Sequence, residues 1–102
     1  MEQVLKLSEN GSILGLRELA KELSSQLKIA IDNNTNIILD FSNVESISSS
    51  FADELIAKVL IEVGIENFLK NVKIRNANTF IKTMINSSIN DRLNDTIHKK
   101  NV

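Results

Sequence analysis

A chain of 102 residues with 42% hydrophobic residues forms one domain with its own core, and disorder over most of its length is excluded. Aromatic residues make up only 4%, so the core is aliphatic, and a net charge of −1 gives no general attraction to nucleic acid. Cysteine is absent, which rules out disulfides, thiol catalysis and thiolate zinc sites.

The opening MEQVLKLSENGS carries an early acidic residue and no apolar run of the signal-peptide kind. No stretch approaches the roughly 20 apolar residues needed to cross a bilayer, so a soluble cytoplasmic domain is expected. Val4-Leu5-Lys6-Leu7 reads as a first strand, followed by a turn at Glu9-Asn10-Gly11-Ser12. Leu16, Leu19, Ala20, Leu23, Leu27, Ala30 and Ile31 then recur at helical spacing. They predict a long amphipathic helix whose outer face carries Arg17, Glu18, Lys21, Glu22 and Lys28. Residues 32–36, Asp-Asn-Asn-Thr-Asn, end it with types that favour turns and left-handed backbone.

Ile37-Ile38-Leu39 has the continuous apolar character of a strand covered on both faces. After the connector, Phe51, Ala52, Leu55, Ile56, Val59, Leu60 and Val63 form the stripe of a second helix, which Gly64 stops. Val72-Lys73-Ile74 is a third strand. Asn76 or Asn78 caps a third helix with Phe80, Ile81, Met84, Ile85 and Ile89 inside. The order β-α-β-α-β-α predicts an α/β domain over residues 1–93, its mainly parallel or mixed sheet packed by helices. A polar tail over residues 94–102 is expected to fray.

Sites on such sheets gather at the carboxyl ends of the strands, and residues 42–50 occupy that end of the central strand. Ser48, Ser49 and Ser50 stand there at a helix N-terminus, where free N–H groups and the helix dipole favour an anion. A phosphate suits this corner, as a ligand or on a modified serine. Ser50 also reads simply as a helix cap, with Asp53 three residues on returning the bond. Asp40 ends the strand either as a site carboxylate or, the favoured reading, as a carboxylate that bonds the backbone near Ser42 or Asn43. Asp53 and Glu54 suit the helix dipole but oppose a free phosphate ligand at the same corner. Arg75 and Asn76 frame a small polar pocket with the serines or else are solvated loop residues.

His98 is the only histidine and lies in the tail, so neither a Ser-His-Asp triad on Ser50 nor a transition-metal site has support. Residues 11–15, Gly-Ser-Ile-Leu-Gly, lack the Gly-Lys-Ser/Thr ending of a phosphate-binding loop. No cofactor is expected.

The stretch LDFSNVESISSSFADEL resembles the signature of the STAS-like domains, a group of unknown function in bacteria and mobile elements. The agreement extends to Val72-Lys73-Ile74-Arg75-Asn76-Ala77-Asn78 and more loosely to Gly15-Leu16-Arg17-Glu18-Leu19, covering about residues 11–93. More distantly, the segment is similar to the STAS domain of anti-sigma factor antagonists. There an Asp-Ser-Ser-Gly motif opens a helix, and a partner kinase phosphorylates the second serine to control binding. The resemblance puts Ser50 at the phospho-acceptor position, with Ser48 replacing the aspartate and Phe51 the glycine. Phe51 would then obstruct the approach of a kinase, and Ser48 alters the local charge.

What the resemblance implies is a non-enzymatic regulatory module that presents Asp40, Ser48, Ser49, Phe51, Asp53, Arg75 and Asn76 around Ser50. Its expected partner is a protein, an ATP-binding protein of the histidine-kinase-like class. Neither nucleic acid nor membrane is expected to bind, and homodimerisation through the exposed first strand is open. A nucleotide-sensing domain is the alternative reading, and a serine hydrolase the third.

Overall fold

The alternation of apolar strands with amphipathic helices is realised as a parallel sheet with its helices packed into one core, which is not purely aliphatic as expected, since Phe41, Phe51 and Phe68 are buried in it. The computed structural model describes residues 2–100, with side chains through Asp95. Strand β1 (Glu2–Lys6) leads through a 3₁₀ turn (Leu7–Asn10) and β2 (Ile13–Leu14) into α1 (Arg17–Asp32). Strand β3 (Asn36–Asp40) and the short β4 (Ser46–Ile47) follow. Helix α2 (Ser49–Ala52) runs without a break through a π-helical segment (Asp53–Ala57) into α3 (Lys58–Val63). Helix α4 (Ile65–Asn71), β5 (Val72–Arg75) and α5 (Thr79–Lys100) complete the chain.

The main sheet has the order β1-β3-β5, all parallel, with Ile38 of the central strand between Val4 and Lys73. A second ladder pairs β2 with β4. Right-handed crossovers that step across a sheet in one direction carry their helices on one face. Ile37 and Leu39 point to that face and join the core with Leu27, Phe51, Leu55, Ile56 and Ile81. Val4, Lys6, Lys73 and Arg75 are exposed and mark the other face as solvent-facing. The central strand is therefore not covered by helices on both sides, although Ile38 is itself buried among its strand neighbours. The crossovers all step the same way, so only one face receives them.

Several expectations hold in detail. Asn34 ends α1 in the left-handed region at φ 55°, and Thr35 donates to the Ala30 carbonyl at 2.8 Å. Gly64 closes α3 at φ 90°, a value open to glycine at little cost. Asn78 caps α5, its Oδ1 accepting from the Ile81 N–H at 2.8 Å, while its Nδ2 donates to the Glu45 carbonyl at 2.9 Å.

Other expectations need correction. Leu16 precedes the first turn of α1 and is exposed rather than inside. Phe80 is also exposed, because the buried stripe of α5 runs Ile81, Ile85, Ser88. Helix α4 and the β2–β4 ladder were not foreseen. The first buries only Phe68 and Asn71, and the second is two residues long on each side. Helix α5 takes in residues 94–100 of the expected tail, and residues 101–102 lie outside the described residues.

Candidate functional site

The β2–β4 ladder fixes where the serine helix starts. The Ser48 N–H donates to the Leu14 carbonyl at 3.0 Å, continuing the ladder by one bond. The Ser48 side chain then turns back, donating from Oγ to the Gly15 carbonyl at 3.0 Å. The same Oγ accepts from the Phe51 N–H at 3.0 Å, so Ser48 is the N-cap, with extended backbone at φ −81° and ψ 163°.

This corrects the expected cap at Ser50. Ser49 and Ser50 are already helical, Ser49 exposed and Ser50 half-buried. Their N–H groups lie in the first turn, where no carbonyl one turn back is available. Asp53 falls five residues after the cap, beyond capping range, so the Ser50–Asp53 box does not form. Phe51 is wholly buried in the core. It belongs to no contact surface, and it does not obstruct approach to the serines. Two exposed apolar residues, Ile13 (69% exposed) and Leu16 (72%), flank the backbone to which Ser48 is tied.

One turn into the helix stands an ionic cluster that the sequence reading missed. Arg92 of α5 grips Asp53 with two bonds, Nε to Oδ1 at 2.6 Å and Nη2 to Oδ2 at 2.8 Å. Arg17, at the start of α1, reaches Asp53 Oδ2 at 3.2 Å and Glu54 Oε1 at 3.0 Å with one Nη1. Lys58 Nζ lies 3.1 Å from the other oxygen of Glu54, an i,i+4 pair along the helix. Both acids open the π-helical segment, which packs between α1 and α5. The Arg92 bonds hold the Asp53 carboxyl below its ordinary range against partial burial, with Arg17 adding to them. For Glu54, burial is the largest influence and acts upward, but the bonds from Arg17 and Lys58 together outweigh it and leave the acid lowered. Both arginines are correspondingly raised, Arg17 chiefly by Glu54 and Arg92 chiefly by Asp53. The two acids are thus engaged by cations, which weakens their expected opposition to an anion at the corner.

Asp40 forms a separate group. Its Oδ1 accepts from the Ser42 N–H at 2.9 Å, the Ser42 hydroxyl at 2.8 Å and Asn76 Nδ2 at 3.0 Å. The Asn76 bond comes first among the causes that lower the Asp40 carboxyl, followed by the bonds from Ser42. Asn76 sits in the left-handed region at φ 60°, which asparagine tolerates. The Arg75 carbonyl accepts from the Phe41 N–H at 2.9 Å, while its side chain is exposed. Among the described residues no hydrogen bond joins Ser48 or Ser49 to Arg75 or Asn76. An open cleft of about 280 Å³ lies elsewhere, lined by Ile74, Lys82, Ile85 and Asn86. It falls just under the roughly 300–1,000 Å³ usual for small-ligand sites.

The side chain of His98 lies outside the described residues. Among the described residues no cluster of three or more His, Asp or Glu side chains is placed to hold a metal. No helix among them is long and apolar enough to cross a membrane.

Residues 19–82 match the family described as the STAS-like domain of unknown function (DUF4325), and the chain belongs to that family. The matched segment contains the serine corner, Asp40, Asp53, Glu54 and Asn76. Arg17 and Arg92, the two arginines on Asp53, lie on either side of it. No curated protein and no solved structure matches the chain.

Proposed function

We propose that this STAS-like domain is a non-enzymatic regulatory module that binds a protein partner through the start of the serine helix. The observation that carries this reading is that exposed Ser49 directly follows Ser48, which bonds the Leu14 and Gly15 carbonyls between the exposed side chains of Ile13 and Leu16. Apolar groups beside free helix N–H donors suit a protein surface that brings both an apolar anchor and an acceptor. By the family resemblance, the partner is an ATP-binding protein of the histidine-kinase-like class.

Ser50 is the switch residue on the motif alignment, and the ionic cluster supplies a way for a phosphate there to act. Ser50 lies three and four residues before Asp53 and Glu54, on the same helix face. A phosphate at that position adds about −1.5 to −2 charges and competes with both acids for Arg17. Arg17 begins α1 directly after Leu16, so its release changes the same surface that the partner contacts.

The test is affinity capture from source-cell lysate with the wild type and with Ser50→Glu, Ser49→Glu and Leu16→Asp, followed by titration of the purified partner. A partner bound by the wild type, lost on Leu16→Asp and altered at least tenfold by Ser50→Glu supports the module and the switch. Equal binding by all four proteins overturns the serine-helix surface and the switch, and capture of no partner by any of them overturns the module.

A further inference from the structure

We propose that the free edge of β1 pairs with the same edge of a second copy, antiparallel and centred on Val4. This surface is separate from the serine corner and does not depend on the reading given for it. Strand β1 ends the sheet order β1-β3-β5, so one of its two edges has no strand partner among the described residues. A parallel neighbour uses the N–H and C=O groups on one edge and leaves the others open to pairing.

The charge pattern selects the occupant. Antiparallel pairing about Val4 puts Glu2 opposite Lys6 of the second copy and Lys6 opposite its Glu2. Val4, which is 50% exposed, meets its own counterpart between these two ion pairs. All three residues lie on the solvent-facing side of the sheet, where directly opposed side chains meet. The far edge of the sheet is arranged against the same use. Pairing β5 with itself about Ile74 puts Lys73 opposite Arg75 of the second copy, twice over. One edge is self-complementary and the other self-repelling, so the pairing closes at two copies and gives a six-stranded sheet.

Sedimentation velocity from micromolar to millimolar protein tests this, since five residues per strand bury less than a standard interface and the dimer is correspondingly weak. The wild type is expected to pass from monomer to dimer in that range. Glu2→Lys and Lys6→Glu are each expected to weaken self-association about tenfold or more, because each turns both attractive pairs repulsive. The double variant Glu2→Lys/Lys6→Glu restores opposite charges and is expected to dimerise like the wild type. The two single variants mixed together should form the heterodimer. Both positions are exposed, and unchanged circular dichroism checks that each variant is folded. A monomer at every concentration, a dimer indifferent to both reversals, or an open series of larger species would each overturn the proposal.

Discussion

Replacing Asp53 by asparagine keeps the shape of the side chain and removes the charge that ties α1, the π-helical segment and α5 together. The wild-type carboxylate accepts two bonds from Arg92 and one from Arg17. The amide keeps one acceptor oxygen and turns an NH₂ toward the arginines, donor against donor. Breaking a fully buried pair costs about 3–5 kcal/mol, and an exposed pair contributes at most about 1 kcal/mol. The Asp53 side chain is 20% exposed, and those of Arg92 and Arg17 are 37% and 47%. These partners retain enough water to place the loss between the two limits, at about 2 kcal/mol. For a domain of this size each 1 kcal/mol shifts Tm by roughly 4–8 °C, so Tm should fall by about 10 °C.

The pH dependence separates this cause from simple loss of packing. Arg92 and Arg17 lower the folded-state pKa of Asp53 below its unfolded value. The stabilisation is then complete above the unfolded pKa of about 4 and is lost as pH falls through the lower folded value. Chemical unfolding of wild type and Asp53→Asn at neutral pH and at successively lower pH should show the gap closing on the acid side. A gap that stays constant with pH, or a neutral-pH Tm difference under about 2 °C, would refute the reasoning.

The cap assignment predicts unequal serines. Ser48→Ala should cost about 1 kcal/mol in urea unfolding, and Ser50→Ala should stay within about 0.5 kcal/mol of wild type, the reverse order returning the cap to Ser50. Asn76→Ala removes the bond that comes first in lowering Asp40, so a carbon-detected carboxyl titration should find Asp40 shifted upward. An unmoved titration means that Asn76 and Asp40 do not meet in solution.

The fold was legible where burial and period agree. The stripe through Leu23, Leu27 and Ile31 bears a period that only a helix satisfies, the apolar run at Ile37 to Leu39 is identified as a strand by its shortness and flanking turn residues, and Gly64 marks a helix stop. Short elements gave no such signal. In β2 and β4 two residues apiece cannot express a period, and in α4 only Phe68 and Asn71 are buried over seven positions. Phe80 was misplaced because apolar character alone does not tell a buried position from an exposed one beside it.

The misreading of Ser50 and Asp53 has one physical origin. A serine followed three residues later by an acid satisfies a purely local explanation, and local explanations compete well when only sequence is in view. The helix start, however, is decided from outside, by the bond between the Ser48 N–H and the Leu14 carbonyl more than thirty residues upstream. Moving the cap by two residues rotates every later position by about 200° relative to the cap. Asp53 then leaves capping range and faces neighbouring helices, where only cations from distant segments can satisfy it. Arg17 and Arg92 lie 36 and 39 residues away, on opposite sides of Asp53 in the chain. The acidic pair Asp53-Glu54 was visible; the two-residue ladder that aims it was not. The serine corner and the ionic cluster are therefore set by one registration, and a change that slips β2 against β4 should disturb both together.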